Sequence, residues 1–283
     1  MSRVDHRHRH LDRIAEVRAG LHAEKVGYPI GIRATEVVRV VAVGAGLLRV
    51  TLGGAGTEGF EAHSPDEHVK LIFPDPDGTL RLPEPKGAML RWPRPALISR
   101  EYTVRRYDPV AGEIDIDIAE HESGLASDWA RAARPGDIMH VAGPPGGLIV
   151  PHTYDRYLLA GDITALPAIA RRLEELPRSA KGWAFVEVVD AAQEIELSAP
   201  DGVEVRWLHR GDLPAGTGDA LARAVTAVTV PEGERVYVWV AGEAGQIKPL
   251  RRWARDELRL DSADHDITGY WKRGVADFDE DDH

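Results

Sequence analysis

The sequence predicts an antiparallel β-barrel followed by a parallel α/β domain. Three observations lead there. Between about residues 32 and 142 the chain runs as short apolar-alternating segments broken by Gly, Pro and Asp at near-regular spacing, the signature of a small barrel. After residue 155 the period changes, and short apolar strands alternate with helical segments, which means βαβ units. The change falls in a Pro- and Gly-rich stretch, Pro144 to Asp155. The expected division is an N-terminal extension at 1–30, a barrel domain at 31–150 and an α/β domain at 151–283.

In the extension, His6, His8 and His10 alternate with Arg7 and Arg9. A solvated tail explains this better than a metal site, and no metal is expected. Leu11, Ile14, Ala15, Arg18 and Leu21-His22 have helical spacing. The barrel begins with Thr35 to Val43 and Leu47 to Leu52, joined by the tight turn Gly44-Ala45-Gly46. His68 to Phe73 alternates and stops at Pro74, and Pro83 to Pro95 reads as a Pro-rich connection. Arg100 to Tyr107 and Glu113 to Ala119 form a hairpin about Asp108–Gly112. A helix follows Ser123-Gly124-Leu125-Ala126-Ser127, and Ile138 to Ala142 is the last barrel strand.

In the second half, strands are expected at Arg156 to Ala160, Trp183 to Val189, Val203 to Leu208 and Val236 to Ala241. Helices are expected at Leu166 to Leu176, Asp219 to Val225 and about Gln246 to Leu258.

Composition narrows the chemistry. Hydrophobic residues at 43% and charged residues at 29% suit a soluble globular protein. A net charge of −11 argues against general nucleic-acid binding, though it allows a local cationic pocket. There are no cysteines, so disulfides, thiolate nucleophiles and cysteine-ligated clusters are excluded. No apolar run reaches the roughly 18 residues of a membrane span, and no apolar stretch follows the basic start as in a secretory signal. A cytoplasmic protein, without stable membrane insertion and monomeric, is the expectation.

Five segments carry the chemistry. Arg100-Glu101-Tyr102-Thr103-Val104-Arg105 packs two guanidiniums, a phenol and a hydroxyl into six residues. On a strand Arg100 and Tyr102 share one face, and an arginine fork with a flat ring suits a phosphate joined to an aromatic nucleotide. Taken alone, an ordinary polar strand is the commoner reading. The segment Gly124 to Ser127 opens a helix, where unpaired N–H groups and the dipole favour phosphate; a plain capped helix start is the alternative. Two strand–turn–helix junctions, Ala160-Gly161-Asp162-Ile163-Thr164-Ala165 and Val240-Ala241-Gly242-Glu243, stand where parallel sheets bind ligands. Neither carries G-x-G-x-x-G. Finally, Gly269-Tyr270-Trp271-Lys272-Arg273-Gly274 sets two aromatics beside two cations: a packed terminus, or a lid over a flat cofactor with cations facing an anion. His121, His140, His152 and His209 show no ligand spacing.

In this order the segments resemble the ferredoxin-reductase-like flavoproteins, and specifically the siderophore-interacting protein family of ferric-siderophore reductases, over about residues 32–276. Leu48 to Gly54, Asp66 to Leu71, Arg100 to Arg105, Gly161 to Ile169, Ala241 to Glu243 and Gly269 to Gly274 carry the likeness. The resemblance implies an FAD-binding barrel and an NAD(P)-binding α/β domain. It implies that Arg100 binds an FAD phosphate, Tyr102 stacks on the isoalloxazine and Thr103 hydrogen-bonds near N5, with Arg105 counted among the flavin residues. Asp117, Ile118, Ala119 and His121 would line the flavin, and Gly124, Ala126 and Ser127 would hold the pyrophosphate. Asp162, Thr164 and Ala165 would lie near the nicotinamide, Gly242 and Glu243 near the rest of that cofactor, and Tyr270 and Trp271 close to the flavin. Two departures touch pyrophosphate binding: His121-Glu122-Ser123-Gly124 is one residue short, and Leu125 replaces a frequent Pro.

The implied activity is reduction of Fe(III) in an anionic siderophore by NADH or NADPH through FAD, for iron acquisition. No amino-acid acid or base is needed, because the flavin carries the chemistry. Lys70, Lys248, Arg251, Lys272 and Arg273, with Arg106, are the candidates for the anionic substrate. Asp190 to Glu194 after the second α/β strand leans towards NADH, while Arg210 leaves NADPH open. Three alternatives stand beside this one: a flavin reductase with a protein or quinone acceptor, a non-catalytic siderophore- or flavin-binding protein, and a two-domain scaffold without cofactor.

Overall fold

In the computed structural model residues 9–121, 124–276 and 278 are described. The chain forms two compact units, Met1–Ala42 with Leu48–Pro151 and Val43–Leu47 with His152–His283.

The first unit begins with helix α1 (Arg9–Arg18). Ile14 and Val17, three apart on one helical face, bury against Val26, Tyr28 and Ile149. Strand β1 (Glu24–Gly27) then pairs with β11 (Gly146–Ile149). From Arg9 onward the segment is thus folded into the first unit, and His10, read as part of a solvated tail, has a side chain only 8% exposed. His6 and His8 lie outside the described residues.

The remaining strands of this unit are β2 (Ile32–Val43), β3 (Leu47–Gly53), β4 (His68–Ile72), β5 (Glu84–Lys86), β6 (Met89–Arg91), β7 (Ser99–Thr103), β8 (Arg106–Asp108), β9 (Glu113–Ala119) and β10 (Ile138–Ala142). Seven of them form one sheet in the order β7-β4-β10-β2-β3-β9-β8. Its two edges, β7 and β8, are separated only by Val104 and Arg105. Val104 N–H donates to the Glu67 carbonyl at 3.0 Å on one side, and Arg105 N–H to the Asp115 carbonyl at 2.9 Å on the other. The chain therefore steps from one edge to the other, and the sheet must curl into a barrel. This is why Arg100 to Tyr107, expected as one strand, is two. β5 and β6 make a small hairpin inside the Pro-rich connection.

On β9 the alternation is complete. Ile114, Ile116 and Ile118 enter the barrel core with Val50, Leu52, Val69 and Val141, while Glu113, Asp115 and Asp117 take the other face. Helix α2 (Leu125–Ala132) closes the barrel with Ala126 and Ala130, and with Trp129 edge-on to Phe73.

The second unit is a five-stranded sheet, β14-β13-β12-β15-β16, with every pair parallel. Its elements are β12 (Arg156–Asp162), α3 (Leu166–Glu175), β13 (Lys181–Val188), β14 (Gly202–His209), α4 (Ala220–Thr226), β15 (Val236–Glu243), α5 (Ala244–Asp256) and β16 (His265–Trp271). β15 is buried at all eight positions, as a strand covered on both faces must be. β16 was not foreseen, because the Tyr-Trp segment reads as a terminus and its exposed half breaks the apolar run. The carboxyl ends of β12, β13, β15 and β16 bring Asp162, Val188, Glu243 and Trp271 to one end of the sheet.

Candidate cofactor and substrate sites

In the first unit, β7 carries Arg100, Tyr102 and Thr103. Arg100 is half-buried, and one of its N–H groups donates to the Ser99 carbonyl at 2.8 Å. The Tyr102 ring packs on the barrel core. Burial pushes its hydroxyl up to about 12, against the lowering pull of Arg100. The phenol therefore stays neutral at any ordinary pH, which keeps it a flat polar ring rather than an anion. Thr103 is buried at 6% exposure.

Arg105 lies beside Asp117, with Nε 3.9 Å from Oδ2. Asp117 also receives a two-pronged bond from Arg49, at 2.7 and 2.8 Å. With Thr51 and Arg106 on Asp115, and Arg39 on Glu113, a stripe of arginine–carboxylate pairs runs along this barrel face. The Asp117 side chain is thus spoken for, and only its backbone is open to a ligand role. Arg106 is likewise paired, to Asp108, Glu113 and Asp115. Nothing local in the sequence marks Arg49, which lies 68 residues from its carboxylate.

Below β9, His121 and Ser127 are joined. The Ser127 hydroxyl accepts from the His121 N–H at 3.2 Å and from Arg131 at 2.8 Å, and Arg131 also reaches the His121 carbonyl at 3.0 Å. Ser127 therefore ties the loop to the helix. Gly124 is the N-cap of α2 and provides no side-chain cap. The first-turn N–H groups, including those of Leu125 and Ala126, are the donors a helix leaves without intrahelical partners. A Cβ at Gly124 would meet nothing within 4 Å. The short stretch at Glu122-Ser123 lies outside the described residues. The Gly124 N–H donates to Asp128 Oδ2 at 3.3 Å, which leaves the N–H groups of the first turn to suit a diphosphate, and the flat neutral ring and guanidinium on β7 suit the rest of an FAD.

In the second unit the junction residues converge. Asp162 ends β12 at 7% exposure. One of its oxygens accepts from the Thr164 N–H at 2.8 Å and hydroxyl at 2.5 Å, and the other accepts from Trp271 Nε1 at 2.8 Å. Ala165 N–H returns to the Asp162 carbonyl and starts α3. Gly242 has φ 150°, and a Cβ there would come within 2.9 Å of the Asp162 carboxylate, so the position needs glycine. Glu243 caps α5 by accepting from Gln246 N–H at 2.7 Å, and takes Arg273 N–H at 3.1 Å.

Two residues here were not singled out from sequence. Glu187, opposite Asp162 in the β12–β13 register, is 3% exposed. The Gln246 Nε2 amide donates to the two oxygens of the Glu187 carboxylate at 3.1 and 3.3 Å. Burial holds the Glu187 carboxyl above its usual range, and Asp162 adds to this. Gln246 Oε1 is buried with no hydrogen-bond partner, an acceptor left over at the ligand end of the sheet. Their position at strand and helix ends was the available signal.

Tyr270 and Trp271 alternate on β16 and so diverge: Trp271 reaches Asp162, while Tyr270 sits edge-on to Trp239 with centroids 6.2 Å apart. Among the candidate substrate cations, Lys70 pairs with Glu101 at 2.8 Å and leans over Trp92. Arg251 donates to the Ile267 carbonyl at 2.9 Å, fastening α5 to β16. Lys248, Lys272 and Arg273 are exposed.

Comparison with known proteins agrees with this arrangement. Residues 36–148 match the siderophore-interacting FAD-binding domain, and residues 154–274 match the siderophore-interacting protein model. The chain is 36% identical over 245 residues to the ferric vibriobactin reductase ViuB of Vibrio cholerae, covering 86% of this chain and 90% of that one. It is 34% identical over 235 residues to the NADPH-dependent ferric-chelate reductase of Escherichia coli, covering 82% and 89%. A siderophore utilization protein from T. fusca superposes with a TM-score of 0.85 at 42% identity, covering 91% and 98%. With both halves of the chain matched and the identity spread over most of its length, the protein belongs to the siderophore-interacting protein family.

Proposed function

We propose that the protein is a flavin-dependent reductase that passes electrons from NAD(P)H through FAD to Fe(III) in a siderophore and releases Fe(II). The observation that carries the reading is the pairing, in one barrel, of the α2 start at Gly124, where the N-cap residue has no side chain, with the Arg100–Tyr102–Thr103 strand. The relatives named as ferric reductases supply the acceptor class.

In this reading Arg100 pairs with a phosphate oxygen, and the α2 N–H groups of Leu125 and Ala126 with the pyrophosphate. Tyr102 lays its ring along the flavin, Thr103 holds its edge, and the backbone of Asp117, Ile118 and Ala119 supports it. Arg105 steadies Asp117 rather than touching the ligand. His121 and Ser127 keep the α2 loop in shape. Asp162, Thr164, Ala165, Gly242, Glu243 and Trp271 form the nicotinamide-side pocket of the α/β unit, with Tyr270 behind it. Bound FAD supplies the conversion between a two-electron donor and a one-electron acceptor, so one NAD(P)H reduces two Fe(III). Reduction loosens the chelate, because hard oxygen donors hold the more highly charged ion more tightly. Lys248, Lys272 and Arg273 are the exposed cations left to attract the anionic chelate, as Lys70 and Arg251 already have partners. The proposal includes a cytoplasmic monomer.

The test is spectroscopic. The purified protein should show flavin bands, alone or after adding FAD. Anaerobic NADH or NADPH should bleach them, and the two donors compared side by side assign the preference. A ferric siderophore should then restore the colour and yield Fe(II) to a ferrous chelator. Bleaching without recovery on ferric chelates would reject the acceptor; absence of flavin binding would reject the whole reading.

A further inference from the structure

Away from these sites, three side chains of the barrel unit converge on one point. His10 stands in the first turn of α1, four residues before Ile14, so the buried face of the helix also carries its imidazole inward. Glu61 and His63 come from the loop that follows the buried Phe60. His10 Nε2 is 2.6 Å and His63 Nε2 3.2 Å from the same oxygen, Oε2 of Glu61. All three candidate ligand atoms lie within 4.8 Å of one another.

The set is held from behind. The His63 N–H donates to Glu67 at 2.9 Å, and its carbonyl accepts from Arg18 at 2.8 Å. The Tyr28 hydroxyl donates to that Glu67 oxygen. The Tyr28 ring packs beside both imidazoles, 5.6 Å from that of His10 and 5.3 Å from that of His63, and the two imidazoles are themselves 6.0 Å apart. His10 and Glu61 also line a cleft of about 240 Å³ with Tyr28 and Arg33, which leaves room for water on an ion.

We propose that His10, Glu61 and His63 form a binding site for a divalent first-row transition-metal ion. Two imidazole nitrogens and one carboxylate oxygen are the donor set of zinc and iron(II). A magnesium or calcium site would want oxygens throughout, and copper(I) would want sulfur. Ligands about 2.1 Å from a tetrahedral ion stand roughly 3.4 Å apart, so movements of less than an ångström in the two close pairs open the site. Without an ion the same atoms can hydrogen-bond, since one carboxylate oxygen accepts through two lone pairs and each neutral ring can donate its Nε2–H to Oε2; titration with the metal separates the two accounts. The ion would clamp the N-terminal helix to the barrel loop 51 residues away, and so stabilise the fold in proportion to its occupancy. Arg33, which lines the same cleft, opposes a cation and limits affinity.

The test is calorimetric titration of the full-length, FAD-loaded protein with Zn²⁺, run beside thermal melting. The native chain should bind one equivalent that Glu61→Gln and His63→Ala each lose or weaken by at least the roughly tenfold that even an outer-shell change costs. Zn²⁺ should raise the melting temperature of the native chain and of His6→Ala/His8→Ala, but not of those two variants. Flavin content equal to the native protein shows that each variant is folded. Titration without a bound equivalent, or an equivalent that survives Glu61→Gln and His63→Ala but disappears with His6→Ala/His8→Ala, overturns the proposal.

Discussion

Trp271 Nε1 donates to Asp162 Oδ2 at 2.8 Å, joining residues 109 positions apart. The bond spans β15, since β12 and β16 are not neighbours in the sheet. It ties the last strand to the first at the end where the junction loops gather. Trp271→Phe keeps an aromatic side chain, though a smaller one, and removes the donor. It should lower the unfolding free energy by about 1–3 kcal/mol, the range for a hydrogen bond to a carboxylate. Urea denaturation followed by fluorescence or circular dichroism measures this. No change in midpoint would mean that water replaces the indole without cost.

Arg100 is proposed to hold a phosphate of FAD. Arg100→Ala should leave the barrel folded and weaken FAD on the order of ten- to a hundredfold, the worth of a charge-assisted contact. Arg100→Lys should recover part of the loss, since the charge remains and the fork does not. Flavin absorbance retained after gel filtration, against circular dichroism of the same samples, reads both. Full retention in Arg100→Ala would remove Arg100 from the site.

Two ion pairs on the barrel differ in burial and should differ in worth. Arg49 and Asp117 have side chains 25% and 1% exposed, whereas Lys70 and Glu101 are 34% and 44% exposed. Arg49→Ala leaves a buried carboxylate and should cost about 3–5 kcal/mol, eased to the extent that Arg105 compensates. Lys70→Ala should cost less than about 1 kcal/mol. Paired chemical-denaturation curves test the ranking, and equal costs would contradict it.

Glu187 predicts a pH dependence. Its carboxyl is held above the ordinary value of 4.5, chiefly by burial, with Asp162 adding and Gln246 opposing. The fold thus favours the protonated form. That contribution is fully present below the unfolded-chain value and is lost as pH rises through the folded value. Glu187→Gln cannot ionise and still accepts from Gln246. The variant should match the native protein at about pH 4 and melt higher at about pH 8, with the gap opening between them. A gap independent of pH would show that the carboxyl is not titrating.

The helices and strands of the α/β unit were legible because each is a local pattern. β12, β13, β14 and β15 appear at the apolar runs that predicted them, within a residue or two at their ends. The barrel was legible as a class but not as a path. Nothing in Arg100 to Tyr107 says that the chain changes edges at Val104 and Arg105, because the partners there, Glu67 and Asp115, are distant in sequence. β16 was hidden for the same reason: its Tyr and Trp are half-exposed, and only pairing beside β15 makes it a strand.

The sequence by itself determined the class of each half, the place of the change between them, the absence of thiol chemistry and the Arg-x-Tyr-Thr and Gly-Asp segments by which the family is recognised. Those are properties of composition and short-range spacing. Tertiary structure alone decided which polar groups are already spoken for. It paired Arg49 and Arg105 with Asp117, Lys70 with Glu101 and Arg251 with a strand carbonyl, and it gathered His10, Glu61 and His63. Hydrogen bonds and ion pairs depend on distances of about 3 Å, and separation along the chain carries no information about them until the sheets close.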